Sequence, residues 1–343
     1  MRFWKIIFFP FSWLYGLIME IRNSCYSIGI FSSYKIPGKS ITIGNLSMGG
    51  TGKSPHTLYV WQVLKDEFPV SILSRGYGRT TTGLFEVKND STADQMGDEP
   101  LMFKKRLNDT SFVVVSENRK KGIDYLRDKA EDSIILLDDA FQHRKVQAGY
   151  SILLTDFSKP YYNDFVVPVG TLRECKKGRH RADCVIVTKC PNTLEEQTKQ
   201  EIIQKLKVGN KPVFFSSIAY DSLKSFTNTQ KSDFKKVLLV TGIANPTPIL
   251  EYLSSHYEVE LIRFKDHHNF EVKDLTLIHE KFGTFVVNGD GIIVTTEKDF
   301  VRLSHPSFEE LIKDYPWYYQ PITINIDKEE QFITEIEKYV RAI

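Results

Sequence analysis

The sequence predicts an α/β protein, a parallel-sheet domain followed by a smaller α/β domain, and three observations predict it. Short apolar, β-branched runs alternate with polar stretches of helical pattern, which is how a parallel sheet covered by helices reads. One run, SITIG, passes through a glycine-rich turn into Lys53 and Ser54, and another, SIILL, ends in two consecutive aspartates. The alternation halts at a polar stretch and then restarts, which marks a second unit.

The 343 residues are comfortable for two domains, each with a core of its own. A composition of 41% hydrophobic and 26% charged residues is that of a folded protein, with no low-complexity tract or fixed-period repeat. The net charge of +2 hides a local basic crowd at Arg173, Lys176, Lys177, Arg179 and Arg181, which is either a solvated face or a phosphate contact. No nucleic-acid partner is expected, and no obligate protein partner is evident. The four cysteines, Cys25, Cys175, Cys184 and Cys190, form no CxxC pair, so a disulfide framework is not expected and the chain reads as cytosol-facing. Zinc held by Cys175, His180, Cys184 and Cys190 is the alternative, but that spacing matches no common site and Cys184 sits in an apolar run. Buried structural thiols are the better reading.

The elements follow in chain order. Residues 1–24 read as a membrane-associated helix: residues 3–19 carry one charge, Lys5, lie between Arg2 and Arg22, and are rich in Phe, Trp and Ile. A span needs about 20 apolar residues, and this run is short and interrupted by Pro10 and Gly16, so an interfacial or partly inserted helix is expected. A signal peptide is disfavoured because no small-residue cleavage site follows. A buried first helix or a partner interface stays open.

Residues 25–220 form the predicted core domain, with strands at SITIG (40–44), VSIL (70–73), FVVV (112–115), SIILL (133–137), SILL (151–154), CVIV (184–187) and VFFS (213–216). Residues 221–234 are polar without an apolar period and read as a linker or exposed hairpin. Residues 235–343 restart the alternation with VLLV, VELIRF and GIIVTT, then ITINI (322–326) and an amphipathic last helix that packs on this unit or back on the core. A cleft between two such domains suits a two-substrate reaction.

Strand, glycine-rich turn and helix in SITIGNLSMGGTGKS are the parts of a P-loop. Backbone N–H groups of Ser47, Gly49, Gly50, Thr51 and Gly52 can curl around phosphate oxygens, Lys53 neutralises the β and γ phosphates of ATP, and the Ser54 hydroxyl can ligate Mg²⁺. Ser47 replaces the first glycine of the usual pattern. SIILLDDAFQHR then places Asp138 and Asp139 at a strand end, where a carboxylate can hold the same Mg²⁺. A strand that merely stops at polar residues is the bland alternative.

Separate segments of this chain resemble the lipid A 4′-kinase (tetraacyldisaccharide 4′-kinase) family: GNLSMGGTGKSP, SRGYGR (74–79), GDEP (97–100), LLDDAFQHR (136–144), PVGTLRE (168–174), FKDHHNF (264–270) and TTEKDFVRL (295–303). The resemblance implies a P-loop NTPase-type kinase domain and transfer of the ATP γ-phosphate to the 4′-hydroxyl of a lipid disaccharide 1-phosphate. It further implies work at the cytoplasmic face of the inner membrane. It implies Asp98 as general base with His267 as its partner, and Glu99 with Ser54 on the metal side, where Asp138 or Asp139 completes the shell. Lys53 would hold the ATP phosphates, and Arg173 with the basic stretch after it would face phosphate or the acceptor's anionic head. From the residues alone, Asp98-Glu99-Pro100 fits a helix start equally well, His267 fits a surface turn, and TEKD (296–299) has no derivable role. A P-loop switch or ATPase docked on a membrane is the rival function.

Overall fold

The computed structural model describes residues 3–287 and 289–342, with side chains from residue 7; Arg2 lies outside the described residues. Helix α1 (Phe3–Ser27) runs unbroken through Pro10. It precedes a nine-stranded sheet that contains β1 (Ser40–Asn45), β2 (Val70–Ser74), β3 (Val113–Val115), β4 (Ile134–Asp138), β5 (Tyr150–Asp156), β6 (Cys184–Thr188) and β7 (Val213–Tyr220). Strands β1–β6 are entirely or largely buried and rich in Ile, Val and Leu, as a parallel sheet covered on both faces requires, whereas β7, toward one edge, is buried only at Phe214–Ser216. Their spatial order is β7-β6-β5-β1-β4-β2-β3, all parallel, with Phe85–Glu86 added antiparallel to β3 at one edge.

On one face, α2 (Lys53–Leu64) packs Tyr59, Val60, Trp61 and Leu64 onto the sheet. The opposite face is closed by α4 (Arg119–Lys129), through Ile123 and Leu126, and by α5 (Glu196–Leu206), through Ile202 and Leu206. Between α2 and α4 in the chain, α3 (Asp98–Arg106) begins inside GDEP, with Gly97 at its N-cap.

A second, five-stranded sheet holds β8 (Lys236–Thr241), β9 (Glu258–Arg263), β10 (Gly291–Thr296) and β11 (Trp317–Gln320), in the order β11-β10-β8-β9. Its helices are α6 (Thr247–Ser254), α7 (Val272–Phe285) and α8 (Glu297–Leu303).

Two elements differ from the sequence expectation. Lys224–Ser225, inside the stretch read as a linker, pairs antiparallel with β11 and edges the second sheet. Strand β12 (Ile322–Ile326), expected in the second unit, pairs antiparallel with β7 and closes the large sheet. The reason is packing. Ile324 and Ile326, with Phe332, Ile336 and Val340 of the last helix α9 (Glu329–Arg341), complete the apolar layer under α2. Tyr59 Oη donates to Glu329 at 2.7 Å and ties the same two helices. The chain therefore crosses between the two sheets twice.

Candidate active site

The chain leaves β1 toward β2 on one side and leaves β4 toward β5 on the other, and ligands bind outside the carboxyl ends of strands where the order diverges in this way. That crevice is where the predicted residues collect. Register pairs Ile43 of β1 with Asp138 of β4, so the glycine-rich loop and the Asp138-Asp139 pair emerge side by side.

The loop is shaped by its own glycines and by three side chains. Gly52 has φ 84°, a left-handed conformation that glycine adopts without steric cost, and α2 begins at the next residue. A Cβ on Gly44 would lie 2.6 Å from that of Phe141, so the approach to the loop needs glycine as well. Lys189 donates to Gly50 O, Thr188 Oγ1 donates to Thr51 O at 2.9 Å, and His56 Nδ1 contacts Gly52 O at 2.6 Å. His56 is buried, its other nitrogen meets Ser216 Oγ at 2.9 Å, and burial pushes it down to about 4, so it stays neutral. Met48 N donates to Thr171 O at 2.6 Å and Thr51 N to Gly49 O at 3.1 Å, so the N–H groups of Gly49, Gly50 and Gly52 are the ones turned toward an anion.

Lys53 Nζ lies 3.6 Å from Asp139 Oδ2. Arg173 donates to both oxygens of Asp139, at 2.8 and 3.2 Å, and also to the Asn45 side chain. Burial works against ionisation of Asp139, but Lys53 and Arg173 outweigh it and hold the carboxyl below its ordinary range. Asp138 is the opposite case. It is buried, and its carboxylate accepts from Ser74 Oγ at 3.2 Å and Thr57 Oγ1 at 3.5 Å. Burial, with Asp139 and Glu99 nearby, pushes it up to about 7 against the pull of Lys53 and Arg119. Arg119, itself buried, caps the strand end by donating to Asp138 O at 3.1 Å.

Asp98 opens α3, as a plain helix start does, and it also faces the second sheet. His267 Nδ1 is 3.3 Å from Asp98 Oδ2 although the two residues are 169 positions apart. His267 sits at φ 58° in the loop after β9 and donates its amide to Gly242 O at 3.0 Å. TEKD now has a structure-derived place. Thr296 caps α8, Glu297 pairs with Arg106, and Lys298 donates to Glu99 at 2.8 Å and approaches His267 Nε2 at 3.1 Å. Arg302, one turn on, grips Asp98 through both of its oxygens, with Nε at 2.9 Å, and is held in turn by the fully buried Asp299 at 3.1 Å. Helices α3 and α8 are thus joined by three ion pairs across the cleft. Sequence reasoning missed Arg302 and Lys298, and the one available signal was TTEKDFVRL itself, since spacing within one helix cannot say what its side chains face.

The basic stretch carries mostly internal work. Arg181 pairs with the buried Glu174 at 2.7 Å, Lys177 pairs with Glu20, and Lys176 and Arg179 donate to the carbonyls of Tyr162 and Lys207. The same segment receives α1. Ser12 donates to Val166 O at 2.9 Å, Tyr15 to Arg173 O at 3.1 Å, and Asn23 to Glu174 at 2.7 Å. These groups share one helix face, while Phe11 (61% exposed), Trp13 (65%), Leu14, Ile18 and Ile21 face outward. Among the described residues no helix is long and apolar enough to cross a membrane. The cysteines are free, Cys184 and Cys190 buried and the other two half-buried.

The donors fit Mg²⁺. Mg²⁺ takes one or two carboxylates and leaves its other positions to phosphate and water, so Asp138 with the Ser54 hydroxyl is the kind of donor set it uses. The buried Asp138, which meets hydroxyls and no side-chain cation within hydrogen-bond distance among the described residues, is a carboxylate a divalent cation would satisfy.

A family model for tetraacyldisaccharide-1-P 4′-kinase, LpxK, matches residues 4–341. The tetraacyldisaccharide 4′-kinase of Flavobacterium psychrophilum is 40% identical across 100% of this chain and 98% of its own length. That of Bacteroides thetaiotaomicron is 39% identical across 97% and 92%. LpxK from Aquifex aeolicus, in a crystal structure with ATP, superposes with a TM-score of 0.75 at 27% identity, covering 98% of this chain and 99% of that one. With the match running essentially end to end, the chain belongs to the tetraacyldisaccharide-1-P 4′-kinase family.

Proposed function

We propose that this chain transfers the γ-phosphate of ATP to the 4′-hydroxyl of a tetraacyldisaccharide 1-phosphate. The observation that carries the reading is the meeting of Asp98 and His267 beside the Asp138-Asp139 strand end, with Glu99 near enough to act on Asp138. A nucleotide-hydrolysing switch has no use for a second-substrate base held between two sheets. The glycine-rich loop is a P-loop that cradles the phosphates on its N–H groups, and Lys53 sits on the charge that moves. Arg173 and Lys53 keep Asp139 ionised at this end of the cleft. Ser54 and Asp138, with Glu99 on the same side, would hold Mg²⁺, which supplies charge neutralisation across the terminal phosphates when bound.

Asp98 takes the proton of the acceptor hydroxyl, and His267 orients it. Arg302 fixes the carboxylate and Lys298 sets the position of Glu99. Most of the rate enhancement is positioning, because phosphoryl transfer needs little covalent help from the protein.

Helix α1 binds the protein by its polar face and turns its aromatic face outward, the reverse of a helix covering a soluble core. That arrangement supports an interfacial anchor on the cytoplasmic face of the inner membrane, where the acyl chains of the acceptor lie. The test is transfer of label from γ-labelled ATP to the lipid disaccharide 1-phosphate, against a lipid-free control. Phosphate release without labelled lipid would overturn the kinase reading in favour of a switch.

A further inference from the structure

We propose that Lys189 is the nucleobase platform of the ATP site, its alkyl stem lying against the face of the adenine ring. The inference rests on the glycine-rich loop holding the phosphates.

Lys53 and Asp139 meet on the β4 side of the loop, and Glu99 acts on Asp138 from farther along that side, so the reacting end of a bound triphosphate points toward β4 and β2. The nucleoside must leave by the other side, over the carboxyl ends of β5 and β6. Lys189 is the first residue after β6. It adopts φ 58°, a left-handed conformation that a non-glycine residue holds only when its surroundings enforce it. Here they do. The ammonium is pinned at two points, donating to Gly50 O of the loop and to Asp156 Oδ2 at 2.8 Å.

A lysine anchored at both ends presents its methylenes as a fixed bar from β6 to the phosphate loop. The side chain is 39% exposed, so the bar keeps an open flank. Methylenes beside a ring face provide apolar contact, and the cation is attracted to the π system. The exposed Pro191, Asn192 and Thr193 follow at once in the chain. The platform takes its base by the face, and a purine covers it better than a pyrimidine.

The experiment measures the affinities of ATP and of inorganic tripolyphosphate, each with Mg²⁺, for the full chain carrying Lys189→Ala, Lys189→Met or Lys53→Ala. Lys189→Ala should weaken ATP about tenfold while tripolyphosphate changes less than about twofold. Lys189→Met, which keeps an unbranched stem and loses the tie to Gly50, should recover most of the ATP affinity. Equal losses of ATP and tripolyphosphate in Lys189→Ala would overturn the proposal and leave Lys189 as a brace for the loop, and so would an unchanged ATP affinity. Lys53→Ala separates the two readings: it should weaken both ligands, and if it weakens neither, the phosphate-loop assignment falls and the platform falls with it.

Discussion

Replacing Arg302 with Met tests whether the second sheet positions Asp98, the proposed base. Met keeps the unbranched shape and removes the charge. The Arg302 side chain is 6% exposed, Asp98 13% and Asp299 0%, so the change strands one nearly buried and one fully buried carboxylate. Removing one member of a buried pair costs about 3–5 kcal/mol. His267 stays beside Asp98 and Thr296 stays on Asp299, which places the expected loss near the lower end. For a chain of this length, about 3 kcal/mol lowers Tm by roughly 4 °C. If misplacing Asp98 also raises the barrier of the transfer step by about 2 kcal/mol, kcat falls about thirtyfold. Transfer of labelled phosphate to the lipid acceptor, with the ATP KM measured in parallel, reads this directly. The ATP KM should move by less than about twofold, since the phosphates are held elsewhere. A variant as active as the parent, or more active, would refute the reasoning, because Arg302 would then be idle or would restrain Asp98.

Asp98→Ala should reduce kcat steeply, His267→Ala less, and the double variant little more than Asp98→Ala, because groups that act as a unit lose rate non-additively; additive losses in the same transfer assay would separate the two residues. Asp138→Asn and Asp139→Asn should both lower the rate, with only Asp138→Asn raising the Mg²⁺ concentration needed for half-maximal activity, and an unchanged magnesium titration would make that strand end structural. Phe11→Ser with Trp13→Ser should cut partition onto anionic vesicles about tenfold or more and leave Tm unchanged, since both rings face outward; a large fall in Tm would place them in a folded interface. Burial lowers His279 to about 4 from 6.5, so the fold favours its neutral ring, and the stability this contributes is present above pH 6.5 and lost as pH falls toward 4. His279→Gln, which keeps an acceptor for the Trp317 indole at 3.1 Å, should flatten urea midpoints between pH 7 and pH 5, whereas an unchanged slope would remove His279 from the account.

Much of this protein was determined by its sequence alone, wherever the signal is local. Ile41, Ile43, Ile72, Leu136, Ile152 and Ile186 lie in runs whose β-branched, apolar character suffices to call buried parallel strands, and each is buried in the sheet. The order of strand, glycine turn, Lys53 and Ser54 was equally legible, because the pattern is contiguous and its chemistry demands those residue types. Contacts between distant parts of the chain were not legible. ITINI reads the same in either sheet, and only the apolar layer formed with α2 and α9 decides that β12 pairs with β7. TEKD and Arg302 read as a short polar helix, and only the approach of α8 to α3 turns them into the grip on Asp98 and Glu99. The basic run after Arg173 reads as free charge until Glu174, Glu20 and backbone carbonyls arrive to receive it. Periodicity and turn chemistry act over a few residues, so the sequence declares its strands and its glycine-rich loop. Ion pairing and hydrophobic closure act through space, so the partners of Asp98, Asp139 and Lys189 exist only once the chain has folded.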